Sequence, residues 1–153
     1  MEFLNKNNDD KLSVKIKLVD NSLPLPKYHT KGAVAFDIYS RHDVMILPMD
    51  ITRISTNLII EVPKGYMLYL KDRSGTAKKG ILITAGIVDQ DFCGPDDEIL
   101  LQFFNPTQNS VSIKRGERIA QGIFVRINQC EWEEVDEMTN QNRGGFGSTG
   151  NAV

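Results

Sequence analysis

Two carboxylates and an aromatic ring, Asp89, Asp91 and Phe92, fall within four positions between Gly86 and Gly94. Apolar runs lead in at 81–83 and out at 99–104, so the stretch reads as two strands joined by a tight acidic turn region. Glycine adopts backbone angles other residues avoid and lets another molecule approach the main chain. Residues 85–94 can thus offer N–H and C=O groups to a flat polar ring, a carboxylate for proton transfer and a ring to stack on. An ordinary hairpin with solvated aspartates uses the same residues.

Three further stretches carry chemistry. Arg73, Ser74 and Gly75 follow an apolar run and open a short helical signal, with Ser74 as N-cap, 76–79 as helix and Gly80 as its stop. Helix N–H groups, an arginine fork and a hydroxyl are what a phosphate needs; a capped surface helix is the plainer reading. Residues 115–121 hold Arg118, which can pair with a nearby carboxylate, and Gln121, which alternates with Ala120 and Ile123 and can face a site. Asp37 stands among apolar neighbours, where a carboxylate is costly unless paired with a positive side chain or near a metal.

The bulk numbers narrow what these groups serve. With 153 residues the chain is long enough for one domain with a real core. A formal net charge of −2 gives no general affinity for nucleic acid or an anionic membrane, so an anionic ligand must meet local positive charge. Two cysteines, Cys93 and Cys130, form no framework, and with only two histidines a zinc or iron site is not expected. Neither a signal peptide nor a bilayer-length apolar run is read, and a cytoplasmic location is expected.

The elements that must position these residues are short strands. Apolar, β-branched stretches at 13–19, 32–40, 43–47, 51–62, 66–70, 81–83, 99–104, 111–113 and 119–127 are separated by Gly, Pro or Asn. About ten short strands at such spacing point to an all-β sandwich or barrel. Residues 1–11 read as a frayed terminus. Residues 140–150 hold four glycines, Arg143 and Phe146, too little apolar surface to fold alone: either disorder or a lid that orders on a ligand.

In chain order, five stretches resemble the motifs of the trimeric dUTP diphosphatase (dUTPase) family: 33–40 around Asp37; Arg73-Ser74-Gly75 with Lys79-Gly80-Ile81; 85–94; 115–124; and 144–150. The resemblance implies a jelly-roll-like distorted β-barrel with one short helix, a β domain over 1–139 and a flexible arm over 140–153 that closes an active site. It implies a homotrimer with shared active sites, dUTP as substrate and Mg2+ as cofactor, giving dUMP and pyrophosphate. In that frame Asp89 is the general base. Arg73, Ser74, Gly75 and Gln121 hold phosphate oxygens. Ala85, Gly86, Ile87, Val88 and Leu100 read the uracil edge, and Phe92 lies beneath the deoxyribose. Asp37 touches the magnesium through water. Phe146 closes over the uracil, with Gly147, Ser148, Thr149 and Arg143 toward the γ-phosphate.

The chain departs from the family pattern at four places. Phe92 replaces the usual tyrosine, Pro95, Asp96 and Asp97 look inserted, and Asp72 stands where an apolar residue or proline is usual. Arg143 lies three residues before Phe146, with Gln141 at the usual arginine place. A dCTP deaminase, which shares the fold, and a nucleotide-sensing binding module are the rival readings. The arm and the context of Asp89 disfavour the first; the set Asp89, Arg73, Ser74 and Gln121 disfavours the second.

Overall fold

Alternation of buried and exposed residues shapes most of the strands. In the computed structural model, which describes residues 11–144, the chain forms eleven strands and one short helix. The strands are β1 (Lys15–Leu18), β2 (Phe36–Tyr39), β3 (Val44–Ile46), β4 (Ile51–Ser55), β5 (Leu58–Glu61), β6 (Tyr66–Asp72), β7 (Leu82–Ala85), β8 (Ile87–Val88), β9 (Leu100–Phe104), β10 (Val111–Ile113) and β11 (Arg118–Arg126); the helix, α1, is Ser74–Ala77. In β9, Leu101 and Phe103 are buried while Leu100, Gln102 and Phe104 turn outward, the period-2 pattern of a strand with one face on a core.

All pairings are antiparallel. They make a four-stranded sheet in the order β2-β11-β6-β8, a three-stranded sheet β4-β9-β7, and two ribbons, β1-β5 and β10-β3. All four share one core, to which Ile38, Ile46, Ile54, Ile60, Leu68 and Phe103 contribute fully or almost fully buried side chains. The chain is all-β with one short helix. Among the described residues no sheet closes into a cylinder, and register shifts between Arg118 and Ala120 and between Ile83 and Ala85 interrupt two ladders.

Three local expectations change. The β-branched run 51–62 is two strands, because Asn57 turns the chain with φ of 73°, a conformation asparagine tolerates better than β-branched residues do. Its side-chain amide donates to the Asp20 carbonyl at 2.9 Å, and its N–H donates to Glu98 at 2.7 Å. The helix is Ser74–Ala77 rather than 76–79, and its cap falls one residue before Ser74. Arg73, extended at φ −81° and ψ 152°, holds the cap position without a side-chain cap bond, and Ser74 is the first helical residue. The Arg73 carbonyl accepts the N–H groups of Thr76 and Ala77, so the turn closes without a hydroxyl cap. The helix ends at Ala77, before the expected stop, and Gly80, at φ +81°, closes the turn that follows it with its N–H on the Ala77 carbonyl.

The third change concerns residues 85–94. β7 pairs with β9 as the hairpin reading requires, with Leu82 opposite Phe104 and Ile83 opposite Phe103. The connection is not a simple turn, however. Beyond Gly86 the chain leaves the three-stranded sheet, and β8 joins the other sheet through Leu68↔Val88 and Tyr69↔Ile87. Gly86 makes the crossing possible: its carbonyl accepts the Leu70 N–H at 2.6 Å, and a Cβ there would run into the Leu70 carbonyl oxygen.

Candidate active site

The sheet crossing leaves a pocket of about 390 Å³. Ala85, Ile87 and Val88 come from the ends of β7 and β8, Leu70 from β6, and Ile99 and Leu100 from the entry to β9. Asp89 and Phe92 stand on its rim in the turn after β8, both exposed. Among the described residues the Asp89 carboxylate has no ion-pair partner. Asp91 follows in the same turn but does not line the pocket. Neither aspartate is on a strand, so strand parity does not relate their directions.

Sequence reasoning missed three polar residues of this wall: Arg53, Glu98 and Gln102. The Arg53 Nε donates to Gln102 Oε1 at 3.2 Å, and Gln102 Nε2 donates to the Thr84 hydroxyl at 3.0 Å, a chain across the outer face of β4-β9-β7. Outward parity in β4 is the signal that could have found Arg53. Glu98 is engaged elsewhere, accepting a fork from Arg41 at 2.9 and 2.7 Å.

A second cluster forms where β2, β11 and the end of β6 meet. Register places Gln121 between Asp37 on β2 and Lys71 on β6. Asp37, largely buried, is surrounded by basic side chains. Arg73 Nε lies 2.7 Å from Oδ1, while Arg118 Nη1 and His29 Nε2 each lie 3.1 Å from Oδ2. Arg73 also donates to the Arg118 carbonyl at 3.1 Å, and Gln121 Nε2 donates to the Asp72 carbonyl at 2.9 Å. Asp37 is thus paired, as its apolar neighbours required. Asp72 is used structurally: its carboxylate accepts the Ile83 N–H at 2.8 Å and pairs with Lys71, whose ammonium is pushed above its ordinary range by that hydrogen bond and charge.

The two clusters are separate in one chain. Ala85, Ile87, Val88, Asp89, Phe92 and Leu100 line the pocket; Gly86 lies in the crossing behind it. Arg73, Ser74, Gly75, Gln121 and Asp37 do not line it. Ser74 and Gly75 are exposed at the start of α1, and Arg143 is exposed in a segment without regular secondary structure. Phe146, Gly147, Ser148 and Thr149 lie outside the described residues. Pro95, Asp96 and Asp97 form a tight turn in which Asp97 accepts the Gly94 N–H at 2.7 Å and the Pro95 carbonyl accepts from Lys17 at 2.6 Å.

The dUTPase family model matches residues 21–150. The chain belongs to the dUTPase family. A curated relative, the deoxyuridine 5'-triphosphate nucleotidohydrolase of Nautilia profundicola, is 39% identical over 144 residues, covering 91% of this chain and 99% of that one. Among solved structures, the dUTPase of Staphylococcus bacteriophage 80alpha with dUPNHPP superposes with a TM-score of 0.81 at 25% identity, over 92% of this chain and 99% of that one. A mutant dUTPase from phage phi11 of S. aureus, described with a structural Mg(II) ion, is similar in fold at a TM-score of 0.76 and 20% identity, over 84% of this chain and 100% of that one. In this dUTPase no three His, Cys, Asp or Glu side chains gather into a metal cage among the described residues. No helix among them is long and apolar enough to cross a membrane.

Proposed function

We propose that the protein hydrolyses dUTP to dUMP and pyrophosphate, removing a precursor of uracil in DNA and supplying dUMP for thymidylate synthesis. The observation that carries this reading is a carboxylate, Asp89, without an ion-pair partner among the described residues, on the rim of a mostly apolar pocket built on backbone strands, in a chain of the dUTPase family. Ala85, Ile87 and Val88 present main-chain groups and apolar surface to the uracil. Phe92 lies under the deoxyribose and leaves no room for a ribose 2′-hydroxyl.

Asp89 takes a proton from a water whose oxygen bonds to the α-phosphorus. The bond from that phosphorus to the α,β-bridging oxygen breaks, and pyrophosphate leaves with the electron pair. Arg73, Ser74, Gly75 and Gln121 hold phosphate oxygens. These groups do not line the Asp89 pocket, which supports a homotrimer whose sites combine the pocket of one copy with the cationic corner of another. A C-terminal arm, 140–153, closes over the substrate of a domain formed by 1–139, with Phe146 on the uracil and Arg143, Gly147, Ser148 and Thr149 toward the γ-phosphate. Deleting 140–153 should leave the trimer assembled and lower turnover sharply; full activity in the truncated protein would dismiss the arm.

Magnesium fits as an ion carried in by the triphosphate rather than caged by the protein, since Mg2+ keeps waters and takes few carboxylates. Asp37 would be the carboxylate to meet it through water, with Arg73 given over from Oδ1 to a phosphate oxygen. When bound, Mg2+ neutralises charge on the phosphates. The deciding assay offers dUTP, dCTP, dTTP and UTP and measures pyrophosphate and ammonia. Pyrophosphate from dUTP alone is expected. Ammonia from dCTP would mark a deaminase, and binding without turnover a sensor.

A further inference from the structure

The turn that carries Asp89 is held by a side chain that neither the pocket nor the cationic corner uses. The β8–β6 ladder pairs Ile87 with Tyr69 and Val88 with Leu68, then stops. Continued by two residues, that register would set Gln90 opposite Tyr66. There the backbone no longer pairs as a strand, but the half-buried Gln90 side chain donates from Nε2 to the Tyr66 carbonyl at 2.8 Å. The side-chain amide stands where a ladder bond would have been.

The acceptor is itself fixed. The Tyr66 N–H donates to the Pro63 carbonyl at 3.0 Å, Tyr66 pairs with Arg126 on β11, and the Arg126 guanidinium lies 5.7 Å from the Tyr66 ring centre. Asp89 is therefore bracketed by the backbone pair at Val88 and the pin at Gln90. Beyond the pin the turn closes through the Phe92 N–H to the Asp89 carbonyl at 3.4 Å and the Cys93 thiol to the Gln90 carbonyl at 3.6 Å. Asp89, before the pin, lines the pocket; Asp91, after it, does not.

We propose that Gln90 is a positioning residue for the hydrolysis: its bond to the Tyr66 carbonyl fixes the turn so that Asp89 meets the attacking water. This rests on the reading of Asp89 as the base. A misplacement of about 1 Å in a reacting group can cost on the order of 10²-fold in rate, so the effect belongs in kcat and not in binding.

The test uses the full-length protein, three variants at Gln90, Asp89→Asn and the double variant Asp89→Asn/Gln90→Ala. Gln90→Ala removes the pin; Gln90→Glu keeps the size but loses the donor; Gln90→Lys restores a donor of similar reach. The first two should lower kcat by roughly 10- to 100-fold with the KM for dUTP nearly unchanged, the split expected of a group acting only in the transition state. Gln90→Lys should recover much of the rate, and all three should bind a non-hydrolysable dUTP analogue like the parent. In an Asp89→Asn background Gln90→Ala should cost nothing further, because the pin acts through Asp89. Parental kcat in both Gln90→Ala and Gln90→Glu overturns the inference, and so does an undiminished loss in the Asp89→Asn background. Should Gln90→Ala fold poorly, Gln90→Glu and Gln90→Lys decide alone. If Asp89→Asn itself keeps parental turnover, the base reading fails and takes the inference with it, an outcome distinct from failure at Gln90 alone.

Discussion

The pocket beside Asp89 and the corner around Asp37 lie toward the two edges of the same strand, β6, which pairs with β8 on one side and β11 on the other, and are held by opposite means. The pocket is backbone work: a crossing at Gly86, a two-residue strand, a side-chain pin and an open carboxylate. The corner is ionic work. One largely buried carboxylate faces three basic side chains, and on the proposed reading a phosphate competes with Asp37 for Arg73. A nucleobase can therefore enter a surface already made, whereas a triphosphate must exchange one anion for another. Changes in the pocket should act on chemistry and selectivity; changes in the corner should act on binding and on stability together.

The sharpest way to break that contrast is at Asp89. Asp89→Asn keeps size and most hydrogen bonding but cannot take a proton, and loss of a positioned general base typically costs about 10²–10⁴ in rate. Binding of dUTP with magnesium, followed by calorimetry, should be kept or slightly tightened, because a carboxylate facing phosphates repels them. Asp91→Asn should cost much less. If Asp91→Asn abolished turnover while Asp89→Asn left it intact, the roles would be reversed and the pocket would not be where the chemistry happens.

Arg73→Lys tests the corner. Lysine keeps the charge but not the fork, so its bonds to Asp37 and the Arg118 carbonyl cannot both be remade in the same plane. Hydrogen bonds to charged groups are worth about 1.5–3 kcal/mol, so kcat/KM for dUTP should fall by roughly 10- to 100-fold, with KM raised. Thermal melting should also shift downward, since Asp37 loses a partner. A variant with parental KM and lowered kcat alone would place Arg73 with the pocket rather than with binding.

Phe92→Ala addresses selectivity. The ring is exposed on the pocket rim, so its removal should cost little stability while opening space under the sugar. The kcat/KM ratio between dUTP and UTP should narrow by roughly 10-fold, the scale on which apolar pocket contacts discriminate. An unchanged ratio would move sugar choice to another residue.

Several of these features could be read in the sequence and others could not, for physical reasons. The apolar runs at 81–83 and 99–104, and the Gly, Pro and Asn residues that separate such runs, mark strands because burial and chain reversal leave local traces. The break at Asn57 leaves only an asparagine among β-branched residues, and its cause is distant: Glu98 and Asp20 hold it. Asp37 announces that it is paired, since an isolated carboxylate among apolar residues is costly, yet nothing local names Arg73, Arg118 and His29 as its partners. The Asp89 turn reads as a hairpin because β7 and β9 do pair, while the transfer of β8 to β6 depends on a backbone approach at Gly86 that no neighbouring residue records. Separation of the pocket from the corner is a property of the folded chain, and the family motifs run through both without marking it.

The smallest effect concerns acid stability at the outer brace of the corner. Glu117, next to Arg118, is pushed up by burial, but the hydrogen bonds from Lys79 and from the Lys114 N–H, with the charge of Lys79, outweigh this and hold its carboxyl below the usual carboxylate range. A carboxyl lowered in the folded state stabilises the fold at pH values above its unfolded pKa of about 4.3, and that contribution is lost as pH falls through the folded value. Glu117→Gln should therefore lower the melting temperature at pH 7 by an amount worth less than about 1 kcal/mol, the scale of a partly exposed pair. The gap between variant and parent should shrink below about pH 4 as the parent's carboxyl takes up its proton. Melting curves from pH 3 to 7 would show it. A gap that stayed constant across that range would mean the Lys79–Glu117 contact holds the corner through packing and neutral hydrogen bonds rather than through charge.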